Sequence, residues 1–315
     1  MAKLSSPQIS RRAMLASAAA LPLVPALATT AAAEGHATSP MPKARDWAIG
    51  DFTVTTLLAG SSQRDEPQGT FGMNVSPEEF AAVSAENFIP ADTYQGYFTP
   101  VLVRTGTETI LFDTGLPGGG VLAALGDAGV SAEDVTHVVL THMHPDHIGG
   151  MAADGAEVFT NAAYIAGAQE YNFWSGMEAG NRVGDMVAAN VTPFAEKMTF
   201  VEDGGEVRPG ITAMAAFGHT PGHMVYMIES GGDQLLLTAD MANHHVWSLA
   251  QPDWEVRFDA DKAAAAATRR RILGMAAADQ VPIAGYHLPF PAVGYVETRG
   301  DGFRWTPATY QMMPA

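Results

Sequence analysis

The stretch Thr141-His142-Met143-His144-Pro145-Asp146-His147-Ile148-Gly149-Gly150 puts three imidazoles and one carboxylate into six consecutive positions, directly after the apolar run Val135-Thr136-His137-Val138-Val139-Leu140. A short apolar run rich in β-branched residues predicts a buried strand, and Pro145 suits the first position of a helix that follows it. His142 and His144 lie two apart at the end of that strand and point the same way, whereas Asp146 and His147 fall on the next turn and face a second point. The spacing therefore predicts a metal site in which one ion takes the histidine pair and a neighbour takes the Asp-His pair. Two nitrogens do not complete a tetrahedral site, so further ligands must come from elsewhere. The candidates stand at other predicted strand ends: His223 in Gly218-His219-Thr220-Pro221-Gly222-His223, Asp240 in Leu237-Thr238-Ala239-Asp240, and His287 in Ala284-Gly285-Tyr286-His287.

The rest of the chain supplies walls for such a site. Its 315 residues are 47% hydrophobic and 16% charged, enough to bury a sizeable core. Strand-like runs at 52–58, 99–105, 109–113 and 135–141, with weaker ones at 158–165 and 199–202, give way to a second set at 211–216, 224–229, 234–238 and 281–286 and a hairpin at 295–305. Helical patterns at 121–128 and 261–277 end the two halves. This order predicts an α/β fold with two mixed β-sheets packed together and helices outside, a four-layer αββα sandwich. Residues 60–94 are polar and rich in glycine and proline, with a short helix expected at 76–84, and read as a long loop overhanging the site. The triple glycine Gly118-Gly119-Gly120 lacks the Lys-Ser/Thr of a phosphate loop and reads as a strand-to-helix connection.

Ser10-Arg11-Arg12 precedes an apolar stretch that ends in Ala31-Ala32-Ala33, the pattern of a twin-arginine export signal. We therefore expect residues 1–33 to be a signal peptide and residues 34–315 one domain, located in the periplasm or secreted, with no stable membrane anchor after cleavage. The chain carries no cysteine, so any metal must be held by nitrogen and oxygen, and neither disulfides nor a thiol nucleophile are available. The formal charge of -17 becomes -20 without Lys3, Arg11 and Arg12, and so acidic a body repels phosphate backbones, which excludes nucleic acid as the expected substrate.

With these residues in place, the chain resembles the metallo-β-lactamase-fold hydrolases: His-x-His-x-Asp-His at 142–147, Thr-Pro-Gly-His ending at 223, Asp240 after an apolar strand, His287, and Leu111-Phe112-Asp113-Thr114-Gly115. Within the superfamily it is most similar to the methyl parathion hydrolase branch and the homoserine-lactone lactonases. His287-Leu288-Pro289-Phe290-Pro291 and Phe173-Trp174 carry that finer likeness. The resemblance implies His142, His144 and His223 on a first metal, Asp146, His147 and His287 on a second, and Asp240 bridging them. Asp113 and His219 either orient ligand imidazoles or stabilise their own turns, and Phe173 and Trp174 form a pocket wall or part of the core. His137 reads as structural, His244 and His245 as an exposed loop pair, and Arg269-Arg270-Arg271 as a solvated helix face.

The function implied is that of a dinuclear metallohydrolase, with Asp146 and Asp240 holding a metal-bridging hydroxide that opens a lactone or cleaves a related ester, and phosphotriesters as a further substrate class. No Gly-x-Ser-x-Gly elbow competes with that reading. Zinc suits the two divalent sites best, with manganese, iron and cobalt as alternatives. The rivals are a β-lactamase, a glyoxalase II-like thioesterase and, from other classes, a mononuclear-iron dioxygenase or a non-catalytic metal-binding protein. The expected partner is a small, neutral, moderately hydrophobic substrate, and a homodimer formed through the 60–94 segment and the insertion around Trp174 is compatible with the sequence.

Overall fold

The structure is a computed structural model that describes residues 42–308, so the segment read as an export signal lies outside the described residues. The chain runs through β1 (Ala44–Ile49), β2 (Phe52–Leu57), β3 (Gly60–Asp65), α1 (Pro77–Glu86), β4 (Thr93–Phe98), β5 (Val101–Arg104), β6 (Thr109–Phe112), α2 (Gly120–Asp127) and β7 (His137–Leu140). Then come α3 (Pro145–Ile148), β8 (Ala152–Ala153), β9 (Ala156–Glu157), β10 (Ala163–Gly167), α4 (Ala168–Ser175), α5 (Arg182–Asn190) and β11 (Met198–Val201). The second half holds β12 (Glu206–Arg208), β13 (Ile211–Ala215), β14 (Met224–Ser230), β15 (Asp233–Ala239), α6 (Lys262–Asp279), β16 (Ile283–Gly285), β17 (Val293–Arg299) and β18 (Gly302–Pro307).

Two seven-stranded mixed sheets result, ordered β1-β2-β5-β6-β7-β10-β11 and β12-β13-β14-β15-β16-β17-β18. Side chains alternate across each strand, and the alternation assigns the layers. Ile110 and Phe112 of β6 meet Tyr226 and Ile228 of β14 and Leu235 and Leu237 of β15 in the core between the sheets. Leu111, one residue out of phase, packs instead with Val121 and Leu125 of α2 and Val187 of α5 on the outer face of the first sheet. Val225 and Leu236 likewise turn outward onto Ile272, Leu273 and Ala276 of α6. The outcome is the expected order of helices, sheet, sheet, helices.

Two elements differ from expectation. Residues 60–94 are a hairpin arm rather than a loop: β3 pairs antiparallel with β4 from Gly60↔Phe98 to Asp65↔Thr93. Gly-Ser-Ser-Gln-Arg-Asp has no apolar alternation to announce a strand, and its partner strand supplies the order. Between them α1 starts as read, with Ser76 accepting the Glu79 N–H at 3.1 Å and Pro77 in its first position. The strand expected at 158–165 begins only at Ala163, because the Ala162 N–H closes a turn onto the Phe159 carbonyl at 3.0 Å.

The topology places the functional residues at one end of both sheets. β6 and β7 run parallel with Phe112↔Val139 in register, so Asp113 and Thr141 leave the first sheet side by side. In the second sheet, β15 and β16 run parallel with Ala239↔Gly285, which brings Asp240 beside Tyr286. A crevice at the carboxyl ends of parallel strands is the usual ligand site of such sheets.

Candidate metal centre

Asp113 sits at the root of the site. It is buried, adopts a left-handed φ of 62°, and accepts three bonds: Oδ1 from the Thr141 N–H (2.8 Å), and Oδ2 from the Thr141 hydroxyl (2.8 Å) and His147 Nδ1–H (2.8 Å). Burial raises the proton affinity of this carboxyl, and the charge of His147 and the donated bonds oppose it. With Nδ1–H donated to Asp113, His147 Nε2 faces the site. Thr141 Oγ1, having donated to Asp113, accepts from His142 Nδ1 at 3.1 Å, so His142 turns a bare Nε2 inward. Thr114 fixes the following turn by donating from N and Oγ1 to the His147 carbonyl at 2.7 and 2.8 Å.

Ligand-type atoms gather in two groups, His142, His144 and His219 in one, and Asp146, His147, Asp240 and His287 in the other, each with its donor atoms within 4.8 Å of one another. The third histidine of the first group is therefore His219, where His223 was expected. His219 Nε2 lies 3.0 Å from His144 Nδ1, which lies 3.1 Å from His142 Nε2. His223, equally buried, accepts the Asp240 N–H on Nε2 at 3.2 Å, while its Nδ1 is buried without a hydrogen-bond partner. Both histidines of Gly-His-Thr-Pro-Gly-His thus stand beside His142, with ring centroids 4.9 Å away for His219 and 5.0 Å for His223. His219 stands in the connection that enters β14, whereas His223 is the residue directly before that strand and turns to the backbone of β15. Burial, then the charge of His219, lowers the pKa of His144 to about 3, in that order, and that of His223 to about 3.

His219 is oriented from behind by a buried pair absent from the sequence reading. Its Nδ1 donates to Asp259 Oδ1 at 3.0 Å, and Asp259 Oδ2 accepts from Arg269 at 2.8 Å. Arg269 is fully buried and donates also to the carbonyls of Pro252 (2.8 Å) and Trp254 (3.2 Å), so the triple arginine is a solvated face only at Arg270 and Arg271. Successive residues on a helix point about 100° apart, so Arg270 can reach the exposed Asp253 while Arg269 faces the core.

In the second group, Asp240 stands between the two sets. Its Oδ1 lies 3.1 Å from His147 Nε2, and its Oδ2 lies 3.0 Å from His287 Nε2 and 3.4 Å from His219 Nε2. Asp146 Oδ2 is 3.4 Å from His287 Nε2 and 3.8 Å from His147 Nε2. His287 Nδ1 donates to the Tyr97 carbonyl at 2.6 Å, which turns Nε2 toward Asp240 and Asp146, and the Tyr286 ring lies 4.0 Å from that of His147 while its hydroxyl donates to the Asp146 carbonyl. Burial opposes a proton on His147, but Asp240, Asp113 and Asp146 outweigh it and hold the pKa well above its ordinary value. His287 is pushed to about 10 against burial, chiefly by Asp240.

Glu170 of α4, missed in the sequence, joins the two motif loops. Its Oε1 accepts from the Met143 N–H (2.9 Å) and Trp174 Nε1 (2.7 Å), and its Oε2 from the Thr220 hydroxyl (2.7 Å) and the Gly222 N–H (2.9 Å). Gly222 is required there, since a Cβ would stand 2.1 Å from the Glu170 nitrogen. A lone glutamate in an amphipathic helix gives no sequence signal for such a role.

A cavity of about 400 Å³ opens over the groups, lined by His144, Asp146, His219, Asp240 and His287 and walled by Phe71, Tyr94, Phe98, Leu116 and Phe258. The hairpin arm does overhang the site. Phe173 and Trp174 do not line this cavity: Trp174 turns back to Glu170, and α5 supplies Arg182 and Val183 in their place. His244 and His245 are not an exposed pair either. His244 is buried, its ring stacked 4.0 Å from Trp247, and its Nδ1 accepts the N–H groups of Val246 and Trp247. His137 bonds only its neighbour Thr136, at 3.0 Å, away from the site.

The arrangement fits metal ions. His142, His147, His219 and His287 each have one ring nitrogen beside an oxygen that can hold its proton, so their other nitrogens converge, as metal-ligating histidines require, and an ion would displace the second proton that the carboxylates hold on His147 and His287. His147 Nε2 and Asp240 Oδ1 are buried 3.1 Å apart without hydrogen-bond geometry and lack any partner, as expected of two atoms aimed at a common third.

The sequence pattern of the metallo-beta-lactamase superfamily matches residues 99–284. The chain belongs to the metallo-beta-lactamase superfamily. Among superfamily proteins, Ribonuclease Z from Thermobifida fusca (strain YX) is 27% identical over 239 residues, 69% of this chain and 63% of that protein. An N-acyl homoserine lactonase from Bacillus sp is 31% identical over 113 residues, 36% of this chain and 40% of that protein. The chain thus spans less than two thirds of the length of either. The solved structure of AidC, a dizinc quorum-quenching lactonase in complex with a product, superposes with a TM-score of 0.79 at 27% identity, over 86% of this chain and 99% of AidC.

Proposed function

We propose that this superfamily member is a dinuclear metal-dependent hydrolase that opens a lactone or a related carboxylic ester, with phosphotriesters as a further class. The observation that carries the reading is the Asp240 carboxylate, which lies within 3.4 Å of a nitrogen from each donor group at the floor of a largely apolar cavity. Two divalent ions, zinc by preference, would be held by His142, His144 and His219 and by Asp146, His147 and His287, with Asp240 between them. When bound, such ions supply a water nucleophile acidified to near neutral pH and a Lewis acid for the carbonyl oxygen.

The chain's own groups position the reaction. Asp113, Asp259 and the Tyr97 carbonyl hold three imidazoles in the ligating tautomer. Burial works against ionisation of Asp146, but His147 and His287 bring its pKa to about 2, so it serves as a ligand rather than a proton donor. Phe71, Tyr94, Phe98, Leu116 and Phe258 favour a small, neutral, moderately hydrophobic substrate. The likeness to AidC and to the Bacillus lactonase supports the lactone. A ribonuclease is disfavoured by the charge of -17.

A hydrolysis panel of lactones, esters, phosphotriesters and a β-lactam on metal-replete enzyme, with His142→Ala as the blank, tests this reading. Turnover of a lactone that vanishes in the blank supports it. Two bound ions with no turnover across the panel would overturn it. Fractionation of cells carrying the full chain tests export by residues 1–33.

A further inference from the structure

The cavity over the two donor groups carries charge as well as apolar walls. Beyond the metal donors, the charged side chains that line it among the described residues are Arg64 and Arg182. Acidic residues outnumber basic ones 34 to 17 in the chain, so two bases with no further acid at one cavity run against the composition. Arg64 stands on β3 of the hairpin arm and Arg182 is the first residue of α5, and both are exposed. Elsewhere Arg104, Lys197, Arg208, Arg269 and Arg270 are paired with carboxylates, whereas neither Arg64 nor Arg182 has such a partner among the described residues. Arg64 donates instead from Nε to Ser62 Oγ at 3.3 Å, and its guanidinium carbon lies 6.0 Å from the centre of the Phe98 ring. Phe98 in turn meets His287 edge-on, at 5.5 Å between ring centres. One aromatic ring therefore separates the Arg64 guanidinium from a metal donor.

We propose that Arg64 and Arg182 bind an anionic group of the substrate, so that the preferred lactone or ester carries a single carboxylate at the end remote from its scissile carbonyl. The inference rests on the hydrolase reading above and amends it at one point: the aromatic walls take a neutral body, and the charge is confined to its outer end. A planar carboxylate accepts two parallel N–H bonds from one guanidinium. Charges of one sign in a cleft with apolar walls also focus the local field, even on a body that is acidic as a whole. The same acidity favours a carboxylate over a phosphate dianion, because a net charge of -17 repels each further negative charge.

The test uses two lactones that differ only at the end of a polymethylene side chain, a carboxylate in one and its neutral isostere, a primary carboxamide, in the other, on the metal-loaded enzyme. Wild type is expected to favour the carboxylate about three- to tenfold in kcat/KM, the scale of two exposed ion pairs, and the ratio should fall as salt is added. Arg64→Gln with Arg182→Gln should abolish the preference, and Arg64→Lys with Arg182→Lys should keep part of it. Any disturbance common to both substrates cancels in the ratio. Arg45→Gln with Arg304→Gln removes the same charge from β1 and β18, outside the cavity lining, and should leave the ratio unchanged. Equal rates in wild type, a preference that survives the double glutamine substitution at 64 and 182, or an equal loss in the Arg45 and Arg304 control would overturn the inference, while turnover of the carboxamide lactone leaves the hydrolase reading intact. If no lactone is opened, equilibrium binding of the matching tetrahydrofurans, which lack the ring carbonyl, still decides. Tighter binding of the carboxylate that is lost without Arg64 and Arg182 supports the inference; equal binding, or a preference retained without them because the carboxylate sits on the ions, overturns it.

Discussion

His147 donates its Nδ1–H to Asp113 Oδ2 at 2.8 Å across 34 residues of chain, and the same oxygen takes the hydroxyl of Thr141. One carboxylate at the end of β6 thus sets the tautomer of a donor on α3 and, through Thr141, that of His142 on the turn after β7. Asp113→Asn keeps the shape but offers an amide N–H where an acceptor is needed. Metal affinity measured by chelator competition should fall about ten- to hundredfold. Unchanged affinity would reduce Asp113 to a brace between two strand ends.

Which histidine of the Gly-His-Thr-Pro-Gly-His segment completes the first group can be tested through metal content, and the grouping of His219 with His142 and His144 sets the expectation. His219→Ala should lose the ion held with His142 and His144. His223→Ala, which removes only the acceptor for the Asp240 N–H, should retain its metal and lose part of its activity through a displaced Asp240. Loss of metal in His223→Ala with full retention in His219→Ala would refute this assignment.

Glu170 receives four donors from three separate segments. Glu170→Ala leaves all four without a partner in a buried place, and chemical denaturation should show a loss of more than about 3 kcal/mol. Glu170→Gln should also destabilise, since one end of its amide must face two donors. A loss below about 1 kcal/mol for Glu170→Ala would mean that water replaces the carboxylate at little cost.

Acid stability follows from His244 and His245, both outside the two donor groups. Burial holds His245 at about 4 and His244 well below its ordinary value, with the charge of His245 adding to the latter. A histidine whose folded pKa is depressed binds more protons when unfolded, so stability is lost as pH falls below about 6.5, by about 1.4 kcal/mol per unit for each group until the folded pKa is reached. Metal-free protein should therefore weaken between pH 6.5 and 4, and His245→Gln should have a shallower slope over that window. The metal-free state separates this effect from acid release of metal. An identical slope in the variant would show that His245 takes up its proton without unfolding.

Most of the strands were legible because a half-buried strand writes its two faces into alternating residues, as Ile110, Leu111 and Phe112 do. The arm formed by β3 and β4 was not, because Gly60 to Asp65 pairs through backbone alone and carries no apolar face. Phe173 and Trp174 show a related limit: aromatic residues near a site read as pocket or core alike until the helix that carries them is placed.

By itself the sequence determined the chemistry of the donor set and half of its geometry. Without cysteine only nitrogen and oxygen were available, and within 142–147 the strand-to-helix connection constrains where each side chain points. Only the tertiary structure brought His219 into the first group and placed Glu170 and the Asp259–Arg269 pair behind the site. The physical reason is that a ring's orientation depends on what its second nitrogen bonds. Here those partners lie elsewhere in the chain, 40 residues away for His219 and Asp259 and 190 for His287 and Tyr97.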